Sequence, residues 1–169
     1  MRKRFLITVL IIISYTSLFA CSCVETNESF KAKVERAFSN ADLIFIGKVV
    51  SKEIIKTEIY VPKIKGTQKY VRAEITFEVT DVISGEVHTK TLNIVTSDDE
   101  ESCGYNFKIG NEYLVYSHEM DRRLTMNSTL NKEIVEQYFA TGLCTRTNQL
   151  DKIRKREINL IKRLAKKNN

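Results

Sequence analysis

Apolar and polar residues alternate along the middle of the chain with the two-residue period of half-buried strands. Residues 43–50 begin as an almost unbroken apolar run, which predicts a strand covered on both faces, and Gly47 predicts a bulge or a close backbone approach there. Alternation continues over residues 52–60 and returns over residues 70–82, where polar positions separate the apolar ones. Shorter runs predict further strands over residues 89–96, 112–118 and 123–130.

Two other segments have helical spacing. Phe30, Val34 and Phe38 recur every fourth residue after Ser29, a residue type that caps helix N-termini, and they predict a short helix. From residue 150 onward, apolar residues at helical spacing are interspersed with Lys and Arg, which predicts a longer amphipathic helix packed on the sheet. Together these elements predict one mainly β domain of five or six strands, closed or sandwich-like, with both helices added to it.

The first 20 residues differ in character from the rest. A basic cluster, residues 2–4, precedes an apolar run over residues 5–13, and the segment ends in Leu18-Phe19-Ala20. This pattern predicts an export signal at residues 1–20 that is removed before Cys21. The apolar run is shorter than the ~20 residues that cross a bilayer. We therefore expect a secreted, extracellular or periplasmic protein.

Charge is distributed unevenly along the chain. The predicted signal holds three basic residues and no acidic one, so its removal lowers the formal net charge from +6 to +3. Residues 151–169 alone carry +6, which leaves −3 on residues 21–150. Such a basic end is typical either of a patch for nucleic acid or an anionic membrane, or of a solvated helix face. We favour the solvated face and expect no nucleic-acid partner, because no aromatic residue lies among these basic residues to stack on bases.

All four cysteines follow the predicted signal, at Cys21, Cys23, Cys103 and Cys144. An even number in an exported chain favours two disulfides over metal binding. The Cys-x-Cys spacing is not that of zinc knuckles, and the only histidines are His88 and His118, so we expect no metal of its own. The sequence also has no Gly-rich phosphate loop, no nucleophile elbow and no His-Glu-x-x-His. An enzyme and a bound cofactor are therefore not expected.

An ordered set of short motifs resembles a known family. The motifs are Cys21-Ser22-Cys23-Val24, Ala37-Phe38-Ser39-Asn40-Ala41-Asp42, Ser102-Cys103-Gly104, Tyr113-Leu114-Val115 and Leu143-Cys144. In this combination the chain resembles the N-terminal domain of the tissue inhibitors of metalloproteinases, a netrin-like version of the OB barrel. The resemblance implies an OB-like closed barrel at residues 21–148, followed by a basic amphipathic helix at residues 149–169 that packs on it.

The resemblance also implies a mechanism. Its disulfide pairings, carried over, are Cys21 to Cys103 and Cys23 to Cys144. The free amine and carbonyl oxygen of Cys21 would chelate the catalytic zinc of a metalloproteinase, and Ser22, Cys23 and Val24 would contact the specificity pocket of that protease. The implied protein is a monomeric inhibitor. The chain departs from the family's animal members in having neither their third disulfide nor their cysteine-rich C-terminal subdomain, and residues 24–28 lack the family's prolines and histidine.

A second interpretation concerns the same cysteine. Leu18-Phe19-Ala20-Cys21 is similar to a bacterial lipobox, in which the cysteine is lipidated and its amine acylated. The product would be a lipoprotein of the outer membrane or cell surface, acting as a protein-binding or structural module without inhibitory activity. Lipidation would leave three cysteines and strand Cys103, so the cysteine count favours the free amine.

Overall fold

The computed structural model describes residues 21, 23, 26–61, 65–98, 102–125 and 133–168; the predicted export signal, residues 1–20, lies outside the described residues. Over these residues the chain is mainly β, with a six-stranded sheet and two α-helices, which confirms the predicted class. In chain order the elements are α1 (Phe30–Asn40), β1 (Leu43–Val61), β2 (Gly66–Ser84), β3 (Thr91–Ser97), β4 (Glu112–Thr125), β5 (Glu133–Ala140), β6 (Asn148–Gln149), a short 3-10 helix (Leu150–Lys152) and α2 (Lys155–Asn168).

The strands are ordered β1-β2-β3-β5-β4-β6 in the sheet. All neighbours are antiparallel except β3 and β5, which run parallel through Ile94 opposite Phe139 and Val95 opposite Ala140. The first strand pairs twice: β1 contacts β2 along its whole length and β4 through residues 43–48. The pairings β1-β2-β3-β5-β4 therefore return to β1.

Only part of the strand predicted over residues 123–130 falls within the described residues. Residues 123–125 extend β4, residues 126–132 lie outside the described residues, and the next strand is β5 at Glu133–Ala140. The apolar residues of β5 occur at positions 134, 135, 138 and 139, which is a helical spacing. Pairing with β4 on one side and β3 on the other overrides that local preference.

Several local predictions are confirmed. Ser29 caps α1, its hydroxyl accepting a hydrogen bond from the Ala32 amide at 3.2 Å. The register of β1 shifts between Ile46 and Gly47, and a Cβ at Gly47 would lie 3.0 Å from the Glu78 carbonyl oxygen. The glycine therefore marks both a bulge and a close approach between β1 and β2.

The core has two parts, one on each face of β1 and β4. Alternate residues of these strands point to opposite faces, and over residues 43–46 of β1 and 113–116 of β4 both faces are buried. One part is rich in aromatic rings and comprises Leu43, Phe45, Val49, Ala73, Ile75, Phe77, Ile94, Phe107, Tyr113 and Val115. The other joins the helices to the sheet and comprises Val34, Phe38, Ile44, Ile46, Ile83, Leu114, Tyr116, Ile161 and Ala165.

The C-terminal helix begins later than residue 149. Residues 148–149 pair with β4 as β6, the 3-10 turn follows, and α2 begins at Lys155. Ile161 and Ala165 of α2 pack in the same apolar cluster as Val34 and Phe38 of α1. Among the residues described, no helix has the length and apolar character needed to cross a membrane.

Candidate functional site around the two disulfides

The parallel pairing of β3 and β5 brings two distant turns together. Because parallel strands leave the sheet at the same edge, the turn after β3 and the turn after β5 lie side by side. The first turn holds Cys103 and the second holds Cys144. The amide of Leu143 donates a hydrogen bond to the Cys103 carbonyl oxygen at 2.8 Å, which joins the two turns directly.

Glycine allows this close approach. A Cβ at Gly142 would lie 2.8 Å from the Cys103 carbonyl oxygen, closer than side-chain carbons approach backbone oxygen. Cys103 itself has a φ of 61°, in the left-handed region that residues with a Cβ rarely adopt. The backbone is therefore closely packed at the sheet edge to which the N-terminal cysteines are bonded.

Both N-terminal cysteines are linked to these turns. Cys21 is bonded to Cys103 and Cys23 to Cys144, the same pairings that the family resemblance implies. The Sγ atoms of Cys21, Cys103 and Cys144 all lie within 4.8 Å of one another, so the two disulfides are adjacent. All four described cysteines are oxidised and therefore offer no thiolate to a metal.

The predicted contact residues fall into two groups. Cys21 is partly exposed and Cys23 is exposed, and both are held at the sheet edge. Ser22 and Val24 lie outside the described residues. The structure therefore brings together the four cysteines of the predicted site.

A groove of about 660 Å3 opens beside the disulfides. One wall is a face of α1 that carries Lys33, Arg36 and Asn40, and the opposite side includes His118 of β4 and Arg146. We call this feature the basic groove. Cys23, Cys103 and Cys144 contribute to its lining, so it adjoins the anchored N-terminus.

An ion pair between the partly buried Arg146 and the buried Glu157 lies next to the basic groove. The guanidinium of Arg146 donates to both carboxylate oxygens of Glu157, at 2.7 and 2.8 Å, and the Tyr116 hydroxyl donates to the same carboxylate at 3.1 Å. Burial, together with the Glu157 charge, raises the pKa of Tyr116 far above its usual value. The Phe30 ring contacts both Arg146 and Arg156, whose guanidinium carbons are 5.3 and 3.8 Å from its centroid. This cluster fixes α2 to α1, β4 and the turn that carries Cys144.

The sequence alone does not predict the basic groove. A signal for one wall exists, because Lys33, Arg36, Ala37 and Asn40 have the spacing of a single helix face. The opposite side comes from residues more than seventy positions away in sequence, and only the sheet topology places them there.

Comparison with known proteins adds no relative. No protein-family model matches this sequence, and no curated protein matches it significantly. The fold and site define a mainly β chain whose first two cysteines are anchored to one sheet edge by adjacent disulfides. The function must therefore be inferred from this arrangement and from the residues that carry it.

Proposed function

We propose that this protein is an exported inhibitor of zinc metalloendopeptidases, and that it binds the protease's zinc through the α-amino group and carbonyl oxygen of Cys21. The observation that carries the proposal is the anchoring of Cys21. Removal of residues 1–20 would make Cys21 the first residue, and its disulfide to Cys103 holds it at the sheet edge. Cys23 is held in the same way by Cys144, so the short N-terminal segment is fixed at two points.

The chemistry suits a catalytic zinc. Such zinc ions have three protein ligands and an open fourth position that holds water. An α-amino group has an ordinary pKa of ~7.7–8.0, so its lone pair is available near neutral pH at small cost. The amine and carbonyl oxygen of one residue can occupy the open position together. The inhibitor then needs no metal or cofactor of its own.

Preorganisation supports tight binding. Ordering a free chain end on binding costs about 0.5–1.5 kcal/mol for each immobilised side chain, and the two crosslinks impose that order beforehand. Ser22 and Val24, which adjoin the anchored cysteines in sequence, are our proposed contacts with the protease's specificity pocket. The implied partner is a zinc metalloproteinase, contacted by a single copy of this chain.

We also propose that the ring of strand pairings is an OB-like closed barrel. The pairings run from β1 through β2, β3, β5 and β4 back to β1. The aromatic part of the core draws residues from β1, β2, β3 and β4, and Phe139 of β5 packs against it. A cluster lined by every strand of the ring is the arrangement expected of a filled barrel interior.

The disulfides also bear on the lipoprotein alternative. Lipidation would consume the Cys21 sulfur that is bonded to Cys103 and would block the amine. Oxidised cysteines are typical of exported proteins and agree with cleavage before Cys21. Intact-mass and N-terminal analysis of the protein from its native host distinguishes the two. A free Cys21 amine with two disulfides supports inhibition, and a lipid adduct overturns it.

The mechanism is tested by lengthening the N-terminus by one residue. The processed protein beginning at Cys21 is compared with the same protein carrying one alanine before Cys21, against a panel of zinc endopeptidases. The extension converts the amine to an amide, which is a poor zinc ligand, so inhibition of every sensitive protease should fall by at least about a hundredfold, a loss of roughly 3 kcal/mol of binding free energy.

The matched control adds one alanine after residue 169 and should inhibit as the parent does. Equal potency of the two extended forms would exclude chelation by Cys21. Failure of the parent to inhibit any member of a broad panel would exclude the inhibitory function itself.

A further inference from the structure

The basic groove has a positive lining without a matching negative one. Its basic lining residues are Lys33, Arg36, His118 and Arg146, and none of the described residues that line it carries a carboxylate. Like charges that face a shared concavity repel one another and focus their field on the space between them. Each basic side chain of the groove is therefore stabilised by an acidic partner, where it has one.

Two of the charges are compensated from outside the groove. Arg36 forms an ion pair with Glu28 at 3.2 Å, and Arg146 forms an ion pair with the buried Glu157. The side chains of Lys33 and His118 have no ion pair and no hydrogen-bond partner within the described part of the chain. Lys33 and His118 are both partly buried, so bulk water screens the Lys33 charge less than it screens a fully exposed one.

The remaining polar group on the α1 wall is a neutral donor. Asn40 lies seven residues after Lys33, on the same face of the helix, and its amide has no partner among the described residues. An ammonium, an amide NH2 and an imidazole thus face one space, and together they can donate several hydrogen bonds to an acceptor with negative charge. A volume of about 660 Å3 is in the range of small-ligand sites.

We propose that the basic groove binds a carboxylate group, with Lys33 as the charged contact, Asn40 as a hydrogen-bond donor and His118 on the facing wall. The carboxylate belongs either to a free small acid or to an acidic side chain of a protein partner. Binding of this kind is separate from zinc chelation by Cys21, because it uses no atom of that residue. It gives the groove a ligand whether or not the protein inhibits a protease.

The proposal is tested by NMR titration of the 15N-labelled protein with glutarate and, in a second arm, with a blocked peptide containing one glutamate. Saturable shifts are expected at the amides of α1 and of residues 142–146. Lys33→Gln should weaken binding of both probes by about tenfold. The matched control is Lys31→Gln, which removes the same charge from the same helix at a residue that does not line the groove.

The outcomes separate cleanly. Tighter binding of the peptide assigns the site to a protein partner, and tighter binding of glutarate assigns it to a free acid; both support a carboxylate site. The proposal is overturned if neither probe gives saturable shifts, or if Lys31→Gln weakens binding as much as Lys33→Gln does. Circular dichroism of each variant checks that the fold is retained, and His118→Gln, on the opposite wall, should weaken binding in the same direction.

Discussion

Glu157 is a buried acidic residue in a helix whose exposed face is basic. Its burial follows from position: Glu157, Ile161 and Ala165 are four residues apart, and the last two belong to the apolar cluster. A buried carboxylate is strongly destabilising unless it is paired and hydrogen-bonded, and Arg146 and Tyr116 meet that requirement here. The charge of Glu157 in turn disfavours ionisation of the neighbouring tyrosine.

We predict that Tyr116 makes the protein sensitive to alkali. The folded-state pKa of this hydroxyl is raised above the ordinary value of about 10, so its contribution to stability is complete below that pH and is lost as the pH rises further. Tyr116→Phe should cost about 1 kcal/mol at neutral pH through the lost hydrogen bond to Glu157. Above a pH of about 10, the free energy of unfolding should fall less steeply in the variant than in the parent.

The measurement is urea unfolding at a series of pH values from neutral to strongly alkaline. Phe77→Leu, a change in the aromatic part of the core that removes no ionisable group, serves as the control and should keep the parent's slope. An unchanged alkaline slope in Tyr116→Phe would show that ionisation of this side chain is not linked to unfolding.

The alternation of apolar and polar residues predicts the long β1–β2 hairpin, but it does not predict β5. In β2, Ala73, Ile75 and Phe77 face the core and the residues between them do not, so the two-residue period is visible in the sequence. Residues 43–49 of β1 contribute to both parts of the core and form an almost unbroken apolar run instead. The residues of β5 follow a helical period, and their state is decided by pairing with β3 and β4. The spacing of apolar residues predicts an element most clearly where one face of that element is apolar. Strand β6 has only two residues and is too short to show any repeat of apolar and polar positions.

The outer half of the β1–β2 hairpin is expected to contribute little to stability. Pairing of β1 with β4 ends at Lys48, and pairing of β2 with β3 ends at Arg72, so beyond these points the hairpin is a two-stranded ribbon. Such ribbons are marginally stable alone. Replacing residues 57–70 by Asn-Gly joins the paired residues Lys56 and Val71 by a two-residue turn.

The shortened protein should unfold in urea with a free energy within about 1 kcal/mol of the parent. The reference variant is Ile75→Ala, which opens a cavity at a fully buried position of β2 and should cost about 2–5 kcal/mol. A loss in the shortened protein as large as that in Ile75→Ala would mean that the ribbon supports the core.

For the molecule as a whole, the sequence predicted the fold class and two disulfides but not the neighbours that make the site. The cysteine count indicated two disulfides, and the family resemblance implied which cysteines pair. The meeting of the turns at Cys103 and Cys144 depends on β3 and β5 being parallel neighbours, which no local pattern encodes. The same topology places His118 and Arg146 opposite α1, so the basic groove is also a product of the whole fold.

Because the two disulfides are adjacent, we expect the loss of one to affect the other. The crosslinks close loops of 82 and 121 residues, and by chain entropy each contributes on the order of 4–5 kcal/mol. Because three of the sulfurs lie within 4.8 Å of one another, a thiol released at Cys144 is within reach of the remaining bond. Cys23 is not part of that group of three.

We therefore predict that Cys23→Ser and Cys144→Ser behave differently, although each removes the same disulfide. In Cys23→Ser the Cys144 thiolate attacks the Cys21–Cys103 bond, forms a disulfide with one of those sulfurs and expels the other as a thiolate. Peptide mapping under non-reducing conditions should find Cys144 bonded to Cys103 or Cys21 in a substantial fraction of molecules.

In Cys144→Ser the remaining thiol, at Cys23, is outside the group of three, so Cys21–Cys103 should persist as the dominant disulfide. Equal retention of Cys21–Cys103 in both variants would show that closeness of the sulfurs does not govern exchange here, and that each anchor of the N-terminus holds independently of the other.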